Sequence, residues 1–457
     1  MFIKIKQEKD MKKFKIILVF LVFIGVSFTV KAQILNEEFN FSLQQSIEYA
    51  LTHQASYLNS KIDEEISKRK VQEIFGFSLP QMSANGGYNN FLEIPTSLLP
   101  GEFFGADAGT FIPVKFGTQH SSNGGLEIGQ LVVDGQYIIA IQATKALKEL
   151  AIKNTLRSKI ETITTVTKAY YNSLIAYKRI ELLNSNVLKI SRLASDSKIM
   201  FDNGFIEQLD LDRINITFTN LKTEQEKISK LVNLSKYLLM YQMGMDVNSI
   251  LNLTDTLMVM NFESVLSGSF NPKDRIEMQL LNTAASLYKL DIKRYKAAYF
   301  PSVYAFGSYS YQAQSNNFEL FNSSQKWYPT KMIGLKVSVP IFDGLQKTRK
   351  IQQINLNLQK NTNDQLNLNN GLTLQYLNAK TQLQNATSSL QSQDDNMKLA
   401  ERVYSTTKLK YEQGVGSNTD LLNAQTTLKE SQTNYLSALY DAMIAQTDYL
   451  NATGQIK

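Results

Sequence analysis

The chain contains no cysteine, which excludes a disulfide framework and a lipid anchor on a cysteine exposed by signal cleavage. Proline and glycine are also scarce, with 8 and 22 residues among 457. Because these two residues interrupt helices and strands most often, their scarcity predicts long uninterrupted elements. The hydrophobic fraction of 43% is ample for a large core.

The residues that carry most catalytic chemistry are sparse as well. Only two histidines occur, His53 and His120, and neither has acid–base or metal-ligand spacing around it. The chain has no nucleophile motif, no phosphate-binding loop and no cluster of metal ligands. Ser417, at the start of a helical pattern, suits a helix cap better than a nucleophile. The sequence therefore predicts a protein that is not an enzyme and that needs no cofactor and no metal.

The net charge of +7 lies mostly in one segment. Residues 1–32 contain seven lysines against one glutamate and one aspartate, a net charge of +5, which leaves +2 for the rest of the chain. Nucleic-acid binding requires a basic surface that so small a charge does not provide. No nucleic acid is therefore expected among the partners.

Residues 1–32 have the organisation of a secretory signal peptide. Basic residues precede the apolar run 16–28, Val30-Lys31-Ala32 offers a small-residue cleavage site, and Met11 is an alternative start. A membrane anchor is the competing interpretation, but the run is too short to span a bilayer comfortably and no comparable run follows. The mature chain is expected to have no membrane helix, so any membrane attachment must come from strands.

Two stretches share the plan of a sharp turn between helices. In each, an aromatic residue (Phe201, Tyr411) stands three residues before a glycine (Gly204, Gly414), and an Asp-Leu pair begins six residues after that glycine. Such a glycine supplies the left-handed residue that closes a helix, and the aspartate suits the first turn of the next helix. Ordinary capping explains one such stretch, whereas repetition at a spacing of 210 residues predicts two helical hairpins.

The segments around these turns carry apolar residues at seven-residue spacing, such as Leu183 and Ile190 in the first half and Leu383 and Leu390 in the second. A sustained heptad pattern imposes a left-handed supercoil. Residues 135–203, as one helix, would extend roughly 100 Å. The remaining faces of these helices are rich in Asn, Gln, Ser and Thr. Uncharged polar faces fit a layer of helices that contacts water on both of its surfaces.

Four segments alternate between apolar and polar residues, at about 83–94, 121–134, 301–312 and 331–343. In the last segment Ile333, Leu335 and Val337 share one face, and Gly334 and Lys336 take the other. The second and fourth segments also match in sequence, LEIGQLVVDG against LKVSVPIFDG. The chain therefore contains an internal duplication.

The duplication divides the chain into consecutive parts. We expect a first repeat over 33–245, an equatorial connector over 246–270, a second repeat over 271–451 and a C-terminal tail over 452–457. Each repeat contains two strands and one long hairpin, which turns at 204 in the first repeat and at 414 in the second.

Four strands in one chain leave two unpaired edges, and an open edge is not viable in hydrocarbon. Closure must then come from other copies of the chain. Two copies would give 8 strands, whose interior fills with side chains, whereas three would give 12 strands and leave a lumen. A soluble β-subdomain packed on the helices is the alternative.

The second turn, Tyr411 to Gln425, resembles the periplasmic tip motif of the TolC-like outer-membrane efflux protein family, and the resemblance extends in element order over 41–450. It implies an α+β fold, in which an outer-membrane β-barrel, closed by trimerisation, continues into a long periplasmic α-helical barrel. It also implies a homotrimer that lies in outer-membrane lipid, extends into the periplasm and docks to a periplasmic adaptor (membrane fusion protein) and an inner-membrane pump of unspecified type.

The resemblance also implies roles for residues near the turns. Asp210 and Tyr411 match a hydrogen-bonded latch of the family, Asp420 matches a pore aspartate, and Asn423 stands where the best-studied relative has a second aspartate. These four residues are the expected pore constriction and gate, which Asn423 makes less negative. The expected adaptor-docking residues of the tip turns are Gly204, Phe205, Gly414, Val415, Gly416 and Ser417. Gly416 replaces an arginine that joins the latch in the best-studied relative.

Two functions remain open at this point. The favoured one is a passive outer-membrane channel of a tripartite efflux or type I secretion system. The other is a non-channel periplasmic coiled-coil adaptor or scaffold protein. An adaptor would need a lipoyl-like or β-barrel core flanking a single hairpin, and it would have no strands with an outward apolar face.

Overall fold

The computed structural model describes residues 38–256, 270–319 and 322–456. The expected signal peptide lies outside these residues, as does most of the expected connector. The chain divides into two compact units. The described part of the smaller unit comprises residues 38–40 and Asn248–Asn252, and the larger unit contains Phe41–Val247 and the residues from Leu253 onwards.

The smaller unit is centred on a two-stranded sheet of β1 (Glu38–Phe41) and β6 (Ile250–Leu253). The amide of Asn252 donates to the Glu38 carboxylate at 2.8 Å and strengthens this pairing. The sequence did not predict this sheet, because strands of four residues are too short to show alternation.

The larger unit contains seven helices among the described residues: α1 (Leu43–His53), α2 (Ala55–Gly76), α3 (Gly135–Asp202), α4 (Gln208–Met243), α5 (Ile276–Ala297), α6 (Gln346–Glu412) and α7 (Asn418–Ala452). The helices α3 and α6 have 68 and 67 residues, so each is about 100 Å long. Helix α3 packs against α4, and α6 packs against α7, which gives two hairpins. None of the described helices is long and apolar enough to cross a membrane.

The heptad positions predicted from the sequence are the buried ones. In the first hairpin Leu183 and Ile190 pack with Leu221, Ile228 and Val232 of the return helix. In the second hairpin, by the same spacing, the buried positions include Leu383, Leu390, Leu421 and Leu428. Since burying one leucine or isoleucine side chain stabilises a protein by roughly 1.5 to 3 kcal/mol, these thin seams hold the long hairpins together.

The larger unit also contains a four-stranded antiparallel sheet in the order β2-β5-β7-β8. Its strands are β2 (Gln81–Asn90), β5 (His120–Val133), β7 (Ser302–Ser315) and β8 (Tyr328–Ser338). The central pair, β5 and β7, joins the first half of the chain to the second. The first long hairpin follows β5 almost directly, at Gly135 after Val133, and the second starts at Gln346, a few residues after β8 ends at Ser338.

One face of this sheet is apolar and the other is polar. Paired residues share a face, so Ile128, Gly307 and Ile333 form one row across the sheet. The apolar side chains on this face are uncovered, with Ile333 91% exposed and Val337 61% exposed. The opposite face is mostly polar, with Glu127, Ser308 and Lys336, although Met332 and Phe306 also lie on it. Gly334 belongs to this face, and a Cβ atom there would lie 2.7 Å from the Phe306 ring.

The segment between β2 and β5, which the sequence presents as a loop, contains a further hairpin. Strand β3 (Thr96–Pro100) pairs with β4 (Phe111–Lys115), and a short 3-10 turn follows β3 directly. Prolines at positions 100 and 113 and several glycines hide the strand pattern, since these residues usually mark loops.

Candidate functional site

The two hairpin turns have the same backbone geometry. Gly204 and Gly414 adopt φ of 77° and 74°, the left-handed conformation predicted for them. The amide of Phe205 donates to the Met200 carbonyl at 2.8 Å, and the amide of Val415 donates to the Lys410 carbonyl at 3.0 Å. This six-to-one bond closes both long helices, because glycine accepts a positive φ without steric cost.

The return helices begin differently. Ser417 caps α7, with its hydroxyl oxygen accepting from the Asp420 amide at 3.0 Å and its hydroxyl donating to the Asp420 carboxylate at 2.7 Å. Glu207, the equivalent residue of the first hairpin, makes no side-chain cap bond to α4. The predicted pore residue Asp420 therefore lies in the first turn of α7, where the helix dipole favours a carboxylate.

A hydrogen-bonded bridge joins the two hairpins beside their turns. The side-chain amide of Asn418, the first residue of α7, donates to the carbonyl of Asp210 at 3.0 Å and to its carboxylate at 3.3 Å. Arg213 lies 3.6 Å from the same carboxylate and donates to the Thr419 hydroxyl at 3.1 Å. The starts of the two return helices are therefore tied together by side chains from both.

The hydrogen bond between Asp210 and Tyr411 that the resemblance implies is not formed within the chain. The Tyr411 hydroxyl is buried and has no hydrogen-bond partner among the described residues. The Asp210 carboxylate instead accepts a hydrogen bond from Asn418 and lies near the Arg213 guanidinium. Asn418 reaches it because α7 begins beside the first turn of α4. The hydroxyl of Tyr411 therefore contributes nothing to the bridge in this conformation.

Asn423, the fourth predicted constriction residue, is exposed on α7 one turn beyond Asp420, which is also exposed. Residues three apart on a helix lie on one face. A surface that contains both residues is therefore available beside the turn, and Asp210 lies at the equivalent position of the first hairpin.

The turns expose apolar side chains at their outermost points. Phe205 is 77% exposed and Val415, its equivalent, is 75% exposed. Next to Val415, Gly416 approaches the helix end so closely that a Cβ atom would lie 2.9 Å from the Tyr411 nitrogen. The second turn therefore has no room for a side chain at this position.

Further polar contacts between the hairpins continue away from the turns, and the sequence did not reveal them. Lys429 of α7 forms an ion pair with Glu224 of α4 at 2.9 Å. The Asn186 amide donates to Gln432 at 3.0 Å, and Gln425 donates to Asn186 at 3.4 Å. These partners are more than 200 residues apart in the chain, so no local pattern indicates them.

A buried arginine holds the other end of the second hairpin. Arg275, 5% exposed, donates to the carbonyls of Asn451 and Ala452 at 2.7 and 2.8 Å and so binds the last turn of α7. Its guanidinium also donates to the Glu277 carboxylate at 2.9 Å. Burial of that carboxyl opposes ionisation, but the bonds and charge of Arg275 outweigh it and hold the pKa of Glu277 below its ordinary value.

A hydroxyl makes a comparable connection near the start of α1. Tyr170 of α3 donates to the Asp255 carboxylate at 3.0 Å, and the Leu43 amide donates to the same carboxylate at 2.8 Å. Burial, together with Asp255, raises the pKa of Tyr170 well above its ordinary value. Tyr170 therefore stays protonated and acts as a structural donor.

Within the described ranges no three acidic, histidine or cysteine side chains are grouped as a metal site. His53 stacks on Tyr49, and His120 packs beside Tyr88, whose hydroxyl lies 2.9 Å from its Nδ1 atom. Both histidines therefore make packing contacts. The candidate functional site is the surface beside the two hairpin turns.

The fold is that of bacterial outer-membrane efflux channels. It is similar to the outer membrane protein VceC of Vibrio cholerae, with a TM-score of 0.68 and 15% identity over 90% of this chain and 96% of that one. The outer membrane channel CmeC of Campylobacter jejuni matches with a TM-score of 0.68 and 14% identity, over 90% and 85% of the two chains. The MtrE channel of Neisseria gonorrhoeae, solved in an open state, matches with 0.66 and 17%, over 90% and 88%. The predicted fold class is confirmed.

A family-level match accompanies this likeness. Residues 277–455 match the family model described as outer membrane efflux protein, and they include the hairpin that turns at Gly414. The resemblance predicted from that turn is thereby confirmed. No curated protein matches the chain.

Proposed function

We propose that three copies of this chain form a passive channel in the cell outer membrane, which extends into the periplasm and serves a tripartite efflux or type I secretion system. The observation that carries the proposal is the four-stranded sheet with an uncovered apolar face and two free edges.

The free edges are suited to pairing between copies. Strands β2 and β8 are the edges, and neither pairs further within the described residues. Because each neighbouring pair in the sheet is antiparallel, β2 and β8 run in opposite directions. The β8 strand of one copy therefore meets the β2 strand of the next in an antiparallel ladder, and three copies close a barrel of 12 strands with a lumen.

The strand lengths and faces fit a bilayer. The four strands have 10 to 14 residues, and a tilted membrane strand needs about 9 to 11. The apolar face with Ile333 and Val337 then contacts outer-membrane lipid, and the polar face with Glu127 and Lys336 lines the lumen. In this arrangement none of the described helices crosses the membrane.

The hairpins continue the conduit on the periplasmic side. Their turns carry the proposed constriction of Asp210, Asp420 and Asn423, next to Tyr411. The bridge from Asn418 to Asp210 holds the two hairpins of a copy together there and favours a narrow tip.

The exposed Phe205 and Val415, with the glycines and Ser417 around them, form the proposed docking surface for a periplasmic adaptor. An inner-membrane pump bound to that adaptor selects the substrate, and drug, metal and protein substrates are all compatible with a passive conduit.

Cell fractionation followed by electrical recording tests the proposal. The protein is expected in the outer-membrane fraction and, once purified, to give discrete conductance steps in planar bilayers. A soluble periplasmic protein without conductance would contradict the proposal and favour the coiled-coil adaptor or scaffold.

A further inference from the structure

The two hairpins carry equivalent grooves. One groove lies between α3 and α4 and is lined by Ile175, Ala176, Leu231 and Ser235, among others. The other lies between α6 and α7 and is lined by Asn385, Ala386, Asp441 and Ala445. Each residue of the second set stands 210 residues after its counterpart, which is a whole number of heptads, so the grooves occupy the same place in the repeat.

The first groove has a cover that the second lacks. Helix α7 of the same chain contributes Thr433, Leu436 and Tyr440 to the first groove. The second groove is lined by α6 and α7 alone within the described part of the chain. The difference appears in burial, since Ile175 and Arg179 are half-buried whereas their counterparts Asn385 and Ser389 are exposed.

The repeat identifies what fits the second groove. The counterpart of the covering segment of α7, residues 433–440, is the segment 223–230 of α4. We propose that the groove between α6 and α7 binds the segment 223–230 of a second copy of this chain. This proposal rests on the proposed function, because a closed ring of copies alternates first and second hairpins and gives every groove a cover.

The charges agree with this pairing. Leu231 and Tyr440 line the first groove together as an apolar pair. Their counterparts are Asp441 and Lys230, which have opposite charges. Both are exposed, and no ion pair forms to either side chain within the described residues. At the interface between two copies, Asp441 of one copy faces Lys230 of the other. An ion pair there takes the place that the apolar contact has in the first groove.

The same relation extends to the turns. Asn418, the first residue of α7, donates to Asp210. The counterpart pair is Gln208, the first residue of α4, and Asp420. Within one chain the Gln208 amide donates to the Asp212 carboxylate at 2.7 Å, which leaves its second N–H for Asp420 of the next copy. Carboxylate–amide bridges then alternate within and between copies around the tip.

Cysteine cross-linking tests the proposal, since the chain has no cysteine of its own. The double variant Lys230→Cys with Asp441→Cys is treated in membranes with a short bismaleimide and run on a denaturing gel. Bands of two and three chains are expected. The matched control is Leu231→Cys with Tyr440→Cys, whose cysteines share a groove within one chain, and it should remain at one chain. Either single variant at 230 or 441 should also remain at one chain.

Charge reversal gives a second readout that does not depend on cross-linking geometry. Lys230→Glu or Asp441→Lys alone should lower the temperature at which the trimer dissociates, and the two together should restore it. A trimer with no cross-link between 230 and 441 and no rescue would overturn this interface and leave the channel proposal standing. A protein that is monomeric throughout would overturn the proposed function itself.

Discussion

The side-chain amide of Asn418 donates to both the carbonyl and the carboxylate of Asp210, at 3.0 and 3.3 Å. The two residues lie in the first turns of the two return helices, so this contact fixes one hairpin to the other beside their glycine turns. Asn418 is buried, and a hydrogen bond to a charged group in such a place contributes roughly 1.5 to 3 kcal/mol. We regard it as the contact that favours the closed tip.

Removal of that amide should open the channel. Asn418→Ala removes both hydrogen bonds to Asp210, and loss of the bond to the carboxylate alone should raise the open population about tenfold or more. The measurement is the open probability of single channels in planar bilayers.

Tyr411→Phe is the matched control at the same tip, because the hydroxyl that it removes has no hydrogen-bond partner among the described residues. Its conductance should equal that of the wild type, and its thermal stability should be equal or higher. If Tyr411→Phe opens the channel and Asn418→Ala does not, the Tyr411 latch implied by the resemblance holds the tip and the bridge does not.

Gly416 should be intolerant of any side chain. A Cβ atom there would approach the Tyr411 nitrogen to 2.9 Å, so Gly416→Ala must displace the end of α6 and should cost about 1 to 3 kcal/mol. Gly371→Ala, in the interior of the same helix with no atom within 4 Å of the added Cβ, should instead stabilise by about 0.5 to 1 kcal/mol. Thermal unfolding of both variants decides this, and opposite shifts in Tm are expected. Equal shifts would show that space at Gly416 is not the constraint.

The two faces of β8 should differ sharply in their tolerance of charge. Ile333→Arg places a charge midway along β8 on the lipid-facing row and should impair membrane insertion by about 2 to 4 kcal/mol. Met332→Arg, the adjacent residue on the lumen face in the row of Glu127 and Ser308, should insert normally. The amount of each variant in the outer-membrane fraction measures the difference, and equal loss at both positions would mean that the faces are wrongly assigned.

Arg275 should support the C-terminal end of α7 in a pH-dependent manner. Arg275→Met leaves the carbonyls of Asn451 and Ala452 and the Glu277 carboxylate without their donor, at an expected cost of about 3 kcal/mol or more.

The pH dependence follows from Glu277, whose folded-state pKa is lowered from its ordinary value of 4.5. A group with a lowered pKa stabilises the fold fully above the unfolded-state pKa, and this stabilisation is lost as the pH falls through the folded-state pKa. In Arg275→Met the burial of Glu277 is no longer offset, so the difference in Tm between wild type and Arg275→Met should be largest at neutral pH and should shrink as the pH falls. A difference that grows on acidification would contradict this assignment.

The parts of the fold that were predictable are those set by local pattern. The turns at Gly204 and Gly414 follow from a left-handed residue after a heptad row, and the strands follow from alternation. The contact between Asn418 and Asp210 was not predictable, because it depends on how α7 packs beside α4, about 200 residues away in the chain. The resemblance implied a bond from Tyr411 to Asp210, whereas within the chain it is Asn418 that donates to Asp210.

The short strands β1, β3, β4 and β6 were also missed, and for a different reason. Each has four or five residues, so alternation cannot be distinguished from chance, and two of the four contain proline. Their pairing is fixed by the elements that bring them together rather than by their own composition.

The central claim is that the four-stranded sheet is one third of a closed barrel, and the native mass of the protein extracted from the outer membrane in mild detergent tests it most directly. The account predicts a single species with three times the mass of the processed chain. A monomer would leave the edges of β2 and β8 unpaired, and a dimer would give an 8-stranded barrel filled by its own side chains, so either mass would contradict the account.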